Sequence, residues 1–277
     1  FPAGGCVLLY SFDQNSKNWA LFTHNIISVT DSIDLTLGLR YTEERKKLDA
    51  LVTTNNPACL IVLQAVQLGT IPASLAQVPC APFWSPRLNV NGSDKRTEKK
   101  LTGTAALNFT LSEELSSYVS YSRGYKGGGF NLDRAGMVQG IANVSQLQFE
   151  EEVVDSFELG AKYRSADGTV NLTATLFYSD FGDFQLNAFN GTSFVVVNLP
   201  KAETYGLEIE GLWYATNELS FNGGLTYAKT EYGSNFSGPL FAPPSPGNPL
   251  GGAFWQLPGN VLTNAPKWSI TGGVTYN

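Results

Sequence analysis

The sequence predicts an all-β chain, an antiparallel transmembrane β-barrel wall with long extracellular loops. Apolar residues recur at every second position through several long segments, short polar turns alternate with long connections, and aromatic residues gather near the segment ends. Together these are the marks of strands that cross a bilayer, with lipid on one face and water on the other.

Ile33, Leu35, Leu37, Leu39 and Tyr41 alternate with Asp34, Thr36, Gly38 and Arg40. Leu101, Gly103, Ala105, Leu107, Phe109 and Leu111 alternate with Thr102, Thr104, Ala106, Asn108 and Thr110. Tyr205, Leu207, Ile209, Gly211 and Trp213 stand against Gly206, Glu208 and Glu210. A period of two belongs to strands. A soluble sandwich also buries one face of each strand, so length and loop asymmetry have to decide. The segments run longer than the roughly 5 to 6 residues of globular strands and reach the roughly 9 to 11 residues a tilted membrane strand needs. Residues 169–186 contain almost no strand breaker.

Tight polar turns are expected at Thr30-Asp31-Ser32, Ser112-Glu113-Glu114, Ser165-Ala166-Asp167-Gly168 and Thr216-Asn217-Glu218. Long connections are expected near 49–95, 131–150 and 233–263. Short turns at one end and long loops at the other fit a barrel whose long loops face the exterior. Tyr118, Tyr121, Tyr125, Tyr163, Tyr178, Trp213, Tyr214, Tyr227, Trp268 and Tyr276 would form two interfacial girdles, or the aromatic core of a soluble β-domain.

The 277 residues are 43% apolar and 15% charged, which either class tolerates. No apolar stretch approaches the roughly 20 residues of a spanning helix. Phe1-Pro2-Ala3 does not read as a secretory leader, so an exported protein is expected to carry its leader outside this chain. A net charge of -6 argues against nucleic acid as partner. The basic runs Arg45-Lys46-Lys47 and Lys95 through Lys100 bracket the largest loop and read as solvated strand ends near anionic lipid headgroups. Cys59 and Cys80 both lie in that loop. A disulfide there would close about 20 residues and add roughly 3 kcal/mol in the chain-entropy model; two free thiols are the alternative.

Catalytic chemistry finds little support. One histidine, His24, would have to serve any triad or histidine acid–base pair, and it sits where apolar residues occupy both faces. Glu208 and Glu210 share a strand face, as two lumen-facing acids would. Gly127-Gly128-Gly129 follows a strand and is not followed by the Lys-Ser/Thr of a phosphate loop, so it reads as a flexible strand exit. No catalytic, cofactor or metal residue is expected, and no enzyme.

Several segments resemble one family. Tyr121-Ser122-Arg123-Gly124-Tyr125-Lys126-Gly127-Gly128-Gly129-Phe130-Asn131 is similar to a strand exit of TonB-dependent outer-membrane receptors. Phe149-Glu150-Glu151-Glu152 leading to Ser156-Phe157-Glu158-Leu159-Gly160 resembles another of the family's strands, as does Asn198 through Glu210 with its Gly206, Glu208 and Glu210. Leu37 through Arg45 and Asn264-Ala265-Pro266-Lys267-Trp268 add two weaker matches in the expected order.

The resemblance implies a 22-stranded barrel in the bacterial outer membrane, closed by an N-terminal plug. Residues 1–277 are then expected to be part of one such barrel domain, about ten strands, without the plug or the C-terminal closing strands. It implies gated, energy-coupled import of a scarce nutrient: most often a ferric siderophore, otherwise cobalamin or a carbohydrate. The implied partners are outer-membrane lipids, an extracellular small ligand such as a metal chelate, and the inner-membrane TonB complex. Ligand contacts in this family come from loop aromatics and arginines. Here these would be Trp84 and Arg87 in the first long loop, Arg134 in the second, and Phe254 and Trp255 in the third. The alternatives are a passive channel of porin or fatty-acid type, and a small-barrel enzyme or adhesin.

Overall fold

The computed structural model describes residues 7–72, 87–133, 143–189, 194–238, 241–243 and 254–277. Among the described residues, eleven strands, one α-helix and one short 3-10 helix run in the order β1 (Val7–Thr30), β2 (Ile33–Asn55), α1 (Pro57–Gln67), β3 (Arg87–Thr110), β4 (Leu115–Lys126), β5 (Gly129–Phe130), the 3-10 helix (Val144–Leu147), β6 (Gln148–Phe149), β7 (Glu152–Arg164), β8 (Val170–Phe189), β9 (Phe194–Tyr214), β10 (Leu219–Tyr232) and β11 (Trp268–Tyr276). Nine of the strands form one antiparallel sheet in the order β1-β2-β3-β4-β7-β8-β9-β10-β11, and β5 pairs with β6 in a small hairpin of its own. Every neighbour in the large sheet is the next long strand in sequence, the up-and-down meander of a barrel wall.

The short turns join β1 to β2, β3 to β4, β7 to β8 and β9 to β10, all at the same end of the sheet. Each turn closes on its own side-chain oxygens. Ser112 Oγ accepts from the backbone of Glu114 and Leu115, and Thr216 Oγ1 from that of Glu218 and Leu219. Asp167 Oδ1 accepts from Thr169 N at 3.0 Å, from Thr169 Oγ1 at 2.8 Å and from Ser165 Oγ at 2.6 Å. These bonds, the Ser165 hydroxyl foremost, lower the Asp167 pKa to about 2. Gly168 supplies the left-handed φ of +72° that ends the turn.

The register keeps one apolar face continuous. Leu35, Leu107, Val119, Leu159, Leu176 and Leu207 are successive partners across β2, β3, β4, β7, β8 and β9. One step toward the long-loop end, Tyr121, Phe157, Tyr178 and Tyr205 form a second line, with centroids 5.0 Å apart for Tyr121 and Phe157 and 6.5 Å for Tyr178 and Tyr205. Trp19 meets Tyr41 at 5.4 Å and Tyr227 meets Trp268 at 4.8 Å. At the opposite end Trp213 stacks on Phe221 at 5.5 Å. On β9 the interval from Tyr205 to Trp213 is nine residues, the length of a tilted membrane strand.

The outer aromatic line also steps along the strands. Tyr41 is the partner of Leu101, Tyr121 is the partner of Ala105 further down the same strand, and Tyr227 is the partner of Leu207 rather than Tyr205. Tilted barrel strands require this drift, because a fixed height in the membrane meets successive strands at successive residues. Large apolar groups on this face stand open, with Leu101 63%, Leu159 55%, Leu176 52% and Ile270 77% exposed. Such a surface belongs in hydrocarbon.

The sequence reading placed the first long connection at 49–95, but strand pairing continues from Asp49↔Ser93 to Asn55↔Arg87. Above the aromatic line the outward residues turn charged, so the apolar alternation ends while the backbone pairing does not. Helix α1 was also not expected. Asn56 caps it by accepting from Cys59 N at 3.0 Å and Pro57 opens it, an arrangement suited to a helix start.

Candidate functional site

The other face of the wall is polar below and crowded above. Thr102, Thr104, Asn108, Glu158, Glu208 and Glu210 lie on it, as do His24 opposite Gly38 and, in β4, Tyr118. Gly160 lies beside Tyr118, and a Cβ there would fall onto the ring. The Tyr118 hydroxyl reaches Glu158 at 3.2 Å and Thr175 at 3.3 Å. Gly206 has a different reason, since its Cβ would strike the Tyr227 carbonyl oxygen. These contacts explain the glycines in the Glu-Leu-Gly and Gly-x-Glu-x-Glu segments.

At the long-loop end, the connection between β4 and β7 does not extend away from the sheet. Its segments 127–133 and 143–151 fold back over this inner face. Phe130, Val144 and Leu147 bury themselves against Leu48, Ala50, Val52 and Val90 of β2 and β3. Below that apolar contact lies an ionic one. Arg96, with 9% of its side chain exposed, pairs with Glu98 of its own strand and with Glu150 and Glu151 of the loop. Lys100 reaches Glu151 at 2.5 Å, and Lys46 donates to the Gly128 carbonyl at 2.6 Å. Gly128 N donates back to Glu98 at 3.0 Å.

The loop is held from the opposite wall as well. Gln185 Nε2 donates to the carbonyls of Gly127 at 3.1 Å and Glu150 at 2.9 Å. Asn131 makes two bonds with the Val196 backbone, at 2.7 and 3.0 Å, and Asn198 binds the Glu150 backbone through 2.7 and 2.9 Å contacts. One connection thus bridges β2 and β3 to β8 and β9 across the concave face.

The triglycine is packed, not loose. A Cβ on Gly127 would lie 2.6 Å from Glu44, one on Gly128 2.5 Å from the Phe149 carbonyl and 2.7 Å from Arg96, and one on Gly129 2.9 Å from the Phe149 ring. This corrects the reading of Gly127-Gly128-Gly129 as a flexible exit: its backbone must come close to a buried charge cluster, which only glycine allows.

Electrostatics follow from burial against pairing. Burial alone would lower the Arg96 pKa, but the carboxylates of Glu150, Glu98 and Glu151 raise it, so the guanidinium stays charged. Burial pushes Glu151 upward, and hydrogen bonds from Lys100 and Arg96 outweigh it, leaving a net lowered pKa. Beside the loop lies a groove of about 360 Å³, lined by Gln14, Lys46, Lys126, Gln185, Asn187, Phe130 and Phe149 among others. Amides, two ammonium groups and aromatic rings can bind anionic oxygen and flat apolar surface.

The residues expected from the sequence fall differently. Trp84, Arg134 and Cys80 lie outside the described residues, and Arg87 is the first residue of β3, with only its backbone described. Phe254 is 8% exposed, its ring 6.4 Å from Phe241, while Trp255 is 37% exposed. Cys59 is fully buried against Val62, Leu63 and Val66 and is disulfide-bonded. The inward charge cluster was missed. Its signal was parity: Lys46, Arg96, Glu98 and Lys100 share the even positions of the polar face, while Arg45, Lys47, Lys95 and Lys99 take the outward one.

A meander of long strands with a lipid face, two aromatic lines and a polar, loop-occupied interior defines an outer-membrane β-barrel wall. A family model described as TonB dependent receptor-like, beta-barrel matches residues 2–277, and the chain belongs to that family of bacterial outer-membrane proteins. The pesticin receptor of Yersinia pestis is 28% identical over 119 residues, 43% of this chain and 16% of that protein. The ferrioxamine receptor of Yersinia enterocolitica is 25% identical over 158 residues, 55% of this chain and 20% of that protein. The crystal structure of the ferric yersiniabactin uptake receptor FyuA from Yersinia pestis superposes with a TM-score of 0.67 at 18% identity, covering 96% of this chain and 32% of that one. The chain therefore spans a fifth or less of the curated relatives it matches and about a third of the solved receptor.

Proposed function

We propose that the protein imports a ferric siderophore across the outer membrane by gated transport, driven through an inner-membrane TonB complex. The observation that carries this reading is the pair of curated relatives, which are named as pesticin and ferrioxamine receptors. The nine-stranded sheet is then one sector of a larger closed barrel. Its outermost strands, β1 and β11, each have one partner among the described residues, and unpaired strand edges in lipid cost several kcal/mol per group. The remaining strands and the plug belong to other parts of the protein. Trp84, Arg87, Arg134, Phe254 and Trp255 are the proposed loop contacts, and a Cys59–Cys80 disulfide would brace the first loop. The groove beside the triglycine adds Lys126, exposed and without an ion pair among the described residues, as a contact for an anionic chelate.

The test is uptake of radioactive iron by iron-starved cells with and without the gene, offered ferrioxamine and a catecholate chelate in turn. Saturable uptake of one chelate that is lost both without the gene and on collapse of the proton gradient supports the reading. Gene-dependent uptake indifferent to the gradient points to a passive channel instead.

A further inference from the structure

We propose that the outward Thr23–Asn25 pair of β1 is one half of a polar clasp within the lipid-facing wall. The other half is a hydrogen-bonding side chain on the strand that pairs with the free edge of β1, a segment of this protein outside the described residues. The register sets Leu21, Thr23, Asn25 and Ile27 against Tyr41, Leu39, Leu37 and Leu35, so all four point to lipid. Between the two aromatic lines, the outward positions of the other long strands hold apolar residues or glycine. Ser117 of β4 is the one other polar side chain there among the described residues.

The pair lies deep. Asn25 follows Trp19, of the outer aromatic line, by six residues, which is about 20 Å of strand and about 14 Å of depth at a tilt of about 45°. That is close to the middle of an apolar band about 25 Å tall. Asn25 Nδ2 donates to Thr23 Oγ1 at 2.9 Å. Among the described residues this is the only hydrogen bond of either side chain, so the amide oxygen, the second amide N–H and the threonine O–H are unspent. Hydrocarbon offers them nothing, and an unpaired polar group there is costly.

The occupant follows from where the pair stands. On the β2 side its neighbours are Leu37 and Leu39, which cannot bond to it. On the other side β1 is the outermost strand of the sheet, and a closed barrel must place a strand there. Outward side chains of that strand have Cβ atoms about 4.5 to 5.5 Å from those of their register partners, within reach of an amide. A second copy of the protein would have to reach the pair across the curve of two convex walls. At the opposite edge, β11 shows Ile270, Gly272 and Val274 outward and needs no such partner. The clasp also fixes register: a slipped strand would leave the amide unbonded in lipid, as a single buried Asn sets register in coiled coils.

The experiment uses the full-length protein folded into lipid vesicles and reads its rate of unfolding in urea. Asn25→Leu should unfold about fivefold faster than the parent. Thr23→Val, which keeps the amide but removes its local bond, should unfold about twofold faster and serves if Asn25→Leu does not fold. Ala174→Asn sets an amide midway between the aromatic lines, with Ala161 and Ile209 as its neighbours; it should also unfold about fivefold faster, because nothing clasps it. An amide standing in bare lipid at position 25 would give the opposite sign, with Asn25→Leu slower than the parent. Light scattering in detergent should find a monomer for parent and variants alike, and a dimer lost in Asn25→Leu would assign the pair to a second copy instead. The strand beside β1 should carry Asn, Gln, Ser or Thr outward within two positions of the register partner of Asn25. An entirely apolar outward face there, unfolding of Asn25→Leu and Thr23→Val no faster than the parent, or Ala174→Asn indistinguishable from the parent would overturn the proposal.

Discussion

Replacing Arg96 by Met tests whether the inward loop is held by its buried charges. Three carboxylates lose a partner, and they do not lose equally. Glu150 is 64% exposed, so its pairing contributes less than about 1 kcal/mol. Glu151 keeps Lys100 at 2.5 Å. Glu98, with 6% of its side chain exposed, keeps among the described residues the Gly128 N–H bonds at 3.0 and 3.2 Å. Stranding a buried carboxylate costs about 3 to 5 kcal/mol, and the surviving bonds place this case near 3. Hydrogen exchange should then quicken by roughly a hundredfold at the amides of 128–131 and 148–151, while β8 and β9 stay protected. The double variant Arg96→Met, Glu98→Met removes the stranded charge and should recover most of the loss, leaving about 1 kcal/mol for the unbonded Gly128 amide. Unchanged exchange in the single variant, or a double variant as damaged as the single, would refute the reasoning.

Acid should loosen the same contact. The folded Glu151 carboxyl has its pKa held below the ordinary 4.5, so its stabilisation is complete above about pH 4.5 and is lost as the pH falls through the folded value. Loop protection measured by exchange should accordingly be flat from neutral pH to about 5 and decline in more acidic solution. Gly206→Ala should lower the unfolding free energy by about 1 to 3 kcal/mol, because the new methyl meets the Tyr227 backbone carbonyl, which cannot rotate away. Gly160→Ala should cost less than Gly206→Ala, since the Tyr118 ring can turn aside, and urea titration of both variants orders them.

Strands, faces and tight turns were legible because each is written locally. The period of two at 33–41, 101–111 and 205–213 names the lipid face residue by residue, and Asp167-Gly168 carries its own turn chemistry. What was not legible depends on distant partners. Gly127-Gly128-Gly129 reads as flexible until Glu44, Lys46, Arg96 and Glu98 are seen to surround it. The outer halves of β2 and β3 were hidden because their outward positions exchange leucine for Lys and Arg once the strand leaves the membrane. Helix α1 depends on a cap, Asn56, in a segment whose apolar run resembled the residue of a loop.

The most direct test of the wall is one pair of adjacent substitutions. Leu107 faces lipid between Leu35 and Val119, and Asn108 faces the interior between Asp34 and Tyr118. Folding of the full-length protein into lipid vesicles, followed by urea titration, should show Leu107→Arg destabilised by about 2 to 4 kcal/mol. Asn108→Arg, with Asp34 beside it, should fold almost as the parent does. Equal tolerance of arginine at the two positions would contradict the membrane-spanning assignment.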